Sequence, residues 1–358
     1  MTPTQQLHDL GQSLWLDNIT RTMLDDGTEQ GYIDDYNVTG QTSNPTIFDK
    51  AISSGDAYDE QIAELREKGL DGEELFFELA LADVTRAARM FQQVYKDTDR
   101  MDGWVSLEVS PKLANDTQGS IQQAADLRGR AEENNFIKIP GTPEGLPAIE
   151  ESIFAGVPIN VTLLMNSEQT IAAGEAYIKG IERRIEADLD PDVPSVLSIF
   201  ISRSDVAVHD EVPDDLKNTL GIAVGNATYR DWRGLFGSDR WKKLADQGAR
   251  LQRLLFASTG TKDPEASDTL YIEAFAAPDT INTMPDKTLK AFADHGKVGD
   301  PMPEDGGDAE EVFKAHRDAG VDVDVLGLRL QKEGAEAFVK SWNELLETIK
   351  SESERLAA

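Results

Sequence analysis

The 358-residue chain contains no cysteine. Disulfides, thiol nucleophiles and thiolate metal sites are therefore excluded, and the composition suits a reducing compartment, so a cytoplasmic location is expected. Histidine is scarce as well: His8, His209, His295 and His316 lie far apart, with no HExxH-type spacing, so no metal site is expected. His209 and His295 read as surface or loop residues without a role. Basic residues are in deficit, 35 Lys and Arg against 66 Asp and Glu, for a formal charge of -31. Such a surface repels nucleic acid and anionic membranes. It suits an acidic cytosolic enzyme, or a protein working in high salt where self-repulsion is screened. Long apolar runs are also missing: mean hydropathy is -0.42 and no stretch approaches a membrane span. The start, MTPTQQLHDLGQSL, has neither the basic residues nor the apolar stretch of a secretory signal. No GxGxxG follows a strand, which leaves a dinucleotide fold unsupported.

What is present is an alternation. Short apolar strands are predicted at 13–19, 36–42, 104–110, 135–141, 157–164, 193–202, 253–259 and 269–276. Helical patterns fall at 72–98, 118–132, 144–155, 168–187, 240–248 and 286–295, with two more near 308–318 and 330–352. The helix after NVTLLM has a capping start at Asn166 or Ser167. Strands that are mostly followed by helices predict an α/β protein, a (β/α)8 TIM barrel. No Ser/Gly-rich linker divides the chain, so a single barrel domain over 1–358 is expected. The long helical region 204–250 reads as an insertion between strands six and seven. Its aromatics, Tyr229 to Trp241, fit core packing or a subunit contact, so a homo-oligomer stays open.

The stretch NNFIKIPG puts Lys138 between two isoleucines on a short strand. A buried ammonium is costly unless it is paired or loses its proton. In a barrel, alternate strand residues face inward and the strand C-termini build the active site. On that alternation Trp15 shares a face with Asp17, Ser106 with Glu108, Phe136 with Lys138, and Asn160 with Thr162. Strand two ends at Asn44, strand six at Ser202 and Arg203, strand seven at Ser258 with Lys262. Together these residues point at one cavity with two carboxylates, one lysine, two carboxamides and two peripheral cations. A chemically idle ion pair of Lys138 with Glu108 or Asp17 is the plainer alternative, but such pairs give little stability for their desolvation. A neutral lysine amine attacks carbonyls to form a Schiff base, whose iminium withdraws electrons from the adjacent C–C bond. One carboxylate then takes a hydroxyl proton, and a second moves protons through a water. This class I aldol chemistry needs no metal and no cofactor.

The motifs TSNPTIF, SLEVSP, FIKIPGTPEG, INVTLL, ISRSD, FASTGTKDP and TLYIEAFAAPDTINTMP resemble a transaldolase, in order and over nearly the whole chain. The resemblance is to the long bacterial form. It implies transfer of a dihydroxyacetone unit between ketose and aldose phosphates, so the expected partners are small-molecule sugar phosphates. It further implies that Lys138 is the Schiff-base lysine, Asp17 the acid/base at the hydroxyl next to the breaking bond, and Glu108 a group acting through a water held with Thr162. Asn44 and Asn160 would hold the dihydroxyacetone hydroxyls, Ser198 would line the site, and Arg203, Ser258 and Lys262 would bind phosphate. One departure stands out. Many members carry an arginine just after the strand-seven serine, where this chain reads Ser-Thr-Gly-Thr-Lys, and a lysine is a point charge without a bidentate fork. A simple aldolase releasing free dihydroxyacetone and a non-catalytic sugar-phosphate sensor remain as alternatives. Glu108 speaks against the first, because aldolases of that kind resemble this chain but carry an amide there. The lysine with two carboxylates speaks against the second.

Overall fold

The computed structural model describes residues 1–357. Eight parallel strands close into a barrel in sequence order: β1 (Ser13–Asp17), β2 (Val38–Thr42), β3 (Val105–Glu108), β4 (Asn135–Pro140), β5 (Ile159–Leu164), β6 (Ser195–Phe200), β7 (Arg253–Ala257) and β8 (Thr280–Met284). The fold is a (β/α)8 TIM barrel. Seven strands fall inside the ranges predicted for them. The eighth does not. TLYIEAFA at 269–276 contains the helix Leu270–Ala274, and the strand is the following TINTM. The reason is spacing: Tyr271 and Phe275 lie one helical turn apart with rings nearly parallel at 6.5 Å, whereas TINTM is too polar to read as a core strand.

Helices between strands form the outer layer. Asn166 caps the helix Ser167–Glu186 by accepting from Gln169 N at 2.9 Å. Between β6 and β7 lie helices Ser202–Val208, Leu220–Phe236 and Asp239–Ala245. Their aromatics pack inward: Phe236 meets Trp241 edge-on at 4.9 Å, Tyr177 lies 6.0 Å from Trp241, and Trp232 Nε1 donates to Gln252 O. A second elaboration lies between β2 and β3, where Pro45–Ser53, Asp59–Glu67, Gly72–Met90 and Gln92–Asp97 precede the strand. The pattern read as one helix over 72–98 breaks at Phe91. The chain closes with Asp286–His295, Ala309–Asp318 and the long helix Val323–Ala357, which lies against the β2–β3 helices. There Trp342 packs edge-on to Phe76 at 4.8 Å and donates to Glu73.

Under the site, the barrel interior is an aromatic floor. Phe136 stacks on Trp104 at 4.1 Å and lies 6.2 Å from Trp15; such pairs add ~0.5–1.5 kcal/mol beyond area burial. Gly40 makes room for Trp15, since a Cβ there would stand 2.6 Å from the indole. The inward faces then repeat upward: Asp17 is two residues above Trp15, and Lys138 two above Phe136. The floor therefore lies one inward layer below Asp17 and Lys138, level with Ser106.

Candidate active site

Register sets the centre of the site. Glu108 of β3 is paired with Lys138 of β4, and Lys138 with Asn160 of β5, so three polar side chains stand level on adjacent strands. Lys138 is 5% exposed, and its Nζ lies 3.3 Å from Glu108 Oε2 and donates to Ser43 O at 3.3 Å. Neither oxygen of Glu108 has an aligned hydrogen-bond donor among the described residues. Burial pushes the Glu108 carboxyl above its ordinary range; Lys138 pulls it back and Asp17 adds to the rise. Asp17, half-buried at the end of β1, is also raised by burial, against the pull of Lys138, the Thr42 hydrogen bond and Lys262. Thr42 Oγ1 is 2.8 Å from both Asp17 Oδ1 and Thr283 Oγ1.

The carboxamides are held from both sides. Asn160 Nδ2 donates to Ser106 Oγ at 3.0 Å, and Ser198 Oγ donates to Asn160 Oδ1 at 2.6 Å. Asn44 Oδ1 accepts from Ile47 N at 3.1 Å, capping the helix Pro45–Ser53. That cap leaves the Asn44 amino group for other partners. Thr162 is fully buried, and its Oγ1 has no hydrogen-bond partner among the described residues. The next residue, Leu163, has φ 59°, a left-handed conformation that costs a leucine ~1–3 kcal/mol.

A cavity of about 810 Å³ opens over these residues. Asp17, Asn44, Lys138 and Ser198 line its depth. Arg203, Ser258 and Lys262 also line it. Glu108, Asn160 and Thr162 are buried and absent from its lining, Glu108 and Asn160 on the strands either side of Lys138. The ten residues expected from the sequence thus divide into seven on the cavity and three supporting it. No carboxylate stands within ion-pairing distance of Arg203 or Lys262 among the described residues, although the chain carries 66 acidic side chains. The Arg203 guanidinium lies 5.3 Å from the Phe200 ring centre and 6.0 Å from that of Phe338. Ser258, at φ 56°, is 2.8 Å from Ser202 Oγ. Two cations without ion-pair partners and Ser258 line the cavity together with Lys138 and Asp17, an arrangement that can hold an anionic end and react at the other. Among the described residues, no cluster of three or more His, Asp or Glu side chains is placed to hold a metal ion, and no helix is long and apolar enough to cross a membrane.

Sequence reasoning singled out Ser202 as the end of strand six, and passed over Thr42 and Phe338. Thr42 was within reach, since it opens the motif TSNPTIF two residues before Asn44. Phe338 gave no signal, because it reaches Arg203 from the C-terminal helix.

Residues 14–349 match the sequence family described as Transaldolase/Fructose-6-phosphate aldolase. Among curated relatives, a transaldolase of Frankia alni is 41% identical over 97% of this chain and 96% of its own length. One of Thermobifida fusca is 41% identical over 100% and 99%, and one of an Arthrobacter species 42% identical over 96% of both chains. Matching from β1 into the C-terminal helix, and aligned with these relatives almost end to end, this chain belongs to the transaldolase/fructose-6-phosphate aldolase family.

Proposed function

We propose that this protein is a cytoplasmic transaldolase working as one barrel domain over residues 1–358. It moves a dihydroxyacetone unit from fructose 6-phosphate or sedoheptulose 7-phosphate to erythrose 4-phosphate or glyceraldehyde 3-phosphate. The observation that carries this reading is Lys138, a buried lysine 3.3 Å from a carboxylate at the base of a cavity with two unpaired cations.

Lys138, after losing a proton, attacks the ketose C2, and loss of water gives the iminium. Glu108, made more basic by burial, takes and returns protons through a water held with Thr162. Asp17 removes the proton of the C4 hydroxyl. The C3–C4 bond breaks, its electrons pass into the iminium system, and the aldose phosphate leaves. The carbanion, held by Asn44 and the free N–H of Asn160, attacks the C1 of the acceptor aldehyde, and the steps reverse. Arg203, Ser258 and Lys262 bind the phosphate of each sugar in turn, and Ser198 orients Asn160. An enclosed, pre-arranged polar site of this kind favours the acceptor over water as the electrophile.

Borohydride reduction in the presence of fructose 6-phosphate, followed by peptide mass spectrometry, tests the reading. A three-carbon adduct on the peptide containing Lys138 is expected. An unlabelled, folded protein beside a labelled control would overturn it. Release of free dihydroxyacetone at an unchanged rate when acceptor is withheld would favour the aldolase reading.

A further inference from the structure

Gln331 lies on the helix Val323–Ala357, outside every motif of the sequence, and its side chain is 6% exposed. Both hydrogens of its carboxamide are engaged. Nε2 donates to Gly141 O at 3.0 Å and to Leu163 O at 2.9 Å. Gly141 follows β4, three residues beyond Lys138, and Leu163 follows Thr162 directly. Gly141 N in turn donates to Thr162 O at 2.7 Å. The backbone beyond Lys138 and the backbone at Thr162 are therefore tied twice, once directly and once through an amide from a distant helix.

β5 is irregular at this point. Its pairing with β6 slips between Val161 and Leu164, and Leu163 stands at φ 59°. A left-handed leucine persists only where its surroundings over-determine it, and a buried carbonyl turned out of the ladder needs another donor. Gln331 supplies that donor. Close approach of the helix depends on Gly334, where a Cβ would stand 3.1 Å from Leu163 Cδ2, 3.2 Å from Met165 Cε and 3.5 Å from Arg203 Nη1. The Thr162 hydroxyl has no hydrogen-bond partner of its own among the described residues. Its direction is set by the backbone that carries it.

We propose that Gln331 is a positioning residue for the reaction: from outside the barrel it fixes the backbone that carries Thr162, one inward layer above Asn160, without touching a reacting atom. This rests on the transaldolase reading above. Gln331→Met keeps length and bulk and removes both donors. It is expected to lower kcat ~10-fold or more, since small misplacements have effects of that order. KM for fructose 6-phosphate should stay within about twofold, because the phosphate end is untouched. In a Thr162→Ala background the same substitution should change kcat by less than about twofold, the signature of two residues acting through one contact. Gly334→Ala, which presses on Leu163 with the amide intact, is read through kcat alone in the same cycle, because its Cβ would also meet Arg203 Nη1, and it carries the test if Gln331→Met lacks the wild-type circular dichroism. An equal loss in both backgrounds, an unchanged kcat, or a rise in KM that accounts for the loss overturns the proposal. A wild-type protein with no dihydroxyacetone transfer would instead overturn the transaldolase reading, and that assay is run first.

Discussion

Removing the Arg203 guanidinium should divide substrates by their phosphate. The side chain lies against the neighbouring rings of Phe200 and Phe338 and has no carboxylate within ion-pairing distance among the described residues. It is thus oriented without a direct ion pair; burial pulls its pKa below the usual arginine value, against the pull of the more distant Glu333. A hydrogen bond to a charged group contributes ~1.5–3 kcal/mol, and a guanidinium offers phosphate two in parallel. Allowing for desolvation of the anion, Arg203→Met should cost about 3 kcal/mol of transition-state binding, or roughly 10²-fold in kcat/KM. Arg203→Lys keeps the charge and loses the fork, for about 10-fold. Phe338→Ala removes only the more distant ring, worth ~0.5–1 kcal/mol, so two- to fivefold is expected. The assay compares fructose 6-phosphate with erythrose 4-phosphate against fructose with glyceraldehyde, each coupled to product detection. The phosphorylated pair should show these losses and the unphosphorylated pair should not change beyond about twofold. Inhibition by inorganic phosphate should weaken in Arg203→Met, with Ser258 and Lys262 left to bind it. Equal losses on both pairs would refute the phosphate assignment.

Two further outcomes concern buried carboxyls. Glu29 is wholly buried, accepts from Gln41 Nε2 at 2.7 Å, and is pushed by burial from 4.5 to about 7. The folded chain keeps a proton that the unfolded chain has released, so this stability is complete below pH 4.5 and is lost as pH rises toward 7. The gap corresponds to about 3 kcal/mol. Glu29→Gln should therefore raise stability at pH 8 by up to that amount and change it little at pH 4.5, as urea unfolding would measure; an equal gain at both pH values would refute the assignment. Lys138→Met should abolish the borohydride adduct. It also removes the attraction that opposes the burial-driven rise at Glu108, so its stability should fall more steeply than wild type as pH rises, and thermal melts across pH 5 to 8 would check this.

The strands that carry the site were legible because chemistry and pattern coincide in them. Asp17, Glu108, Lys138 and Asn160 are polar residues at inward positions where apolar ones would pack better, and the register sets the last three level. β8 was misplaced because Thr280, Asn282 and Thr283 resemble a loop, while the helix before it carries the apolar residues. Asn282 and Thr283 are buried: Thr259 Oγ1 donates to Asn282 Oδ1, and Thr283 meets Thr42. The helices at Arg21–Asp26 and Asp59–Glu67 went unread, being short and rich in charge. Gln331 and Phe338 were out of reach for another reason. The contact from Gln331 to Leu163 spans 168 residues, and an amphipathic helix pattern does not say which surface it will cover.

That span bears on the order in which the protein becomes competent during synthesis. Domains form as their segments emerge from the ribosome. β8 ends at Met284, so all eight strands are available before Val323–Ala357 is made. A nascent chain can therefore close its barrel while the carbonyls of Gly141 and Leu163 await a donor and Arg203 lacks one of its rings. If Gln331 and Phe338 act as proposed, closing the barrel and completing the site are separate events, and the helix that carries both residues marks the second.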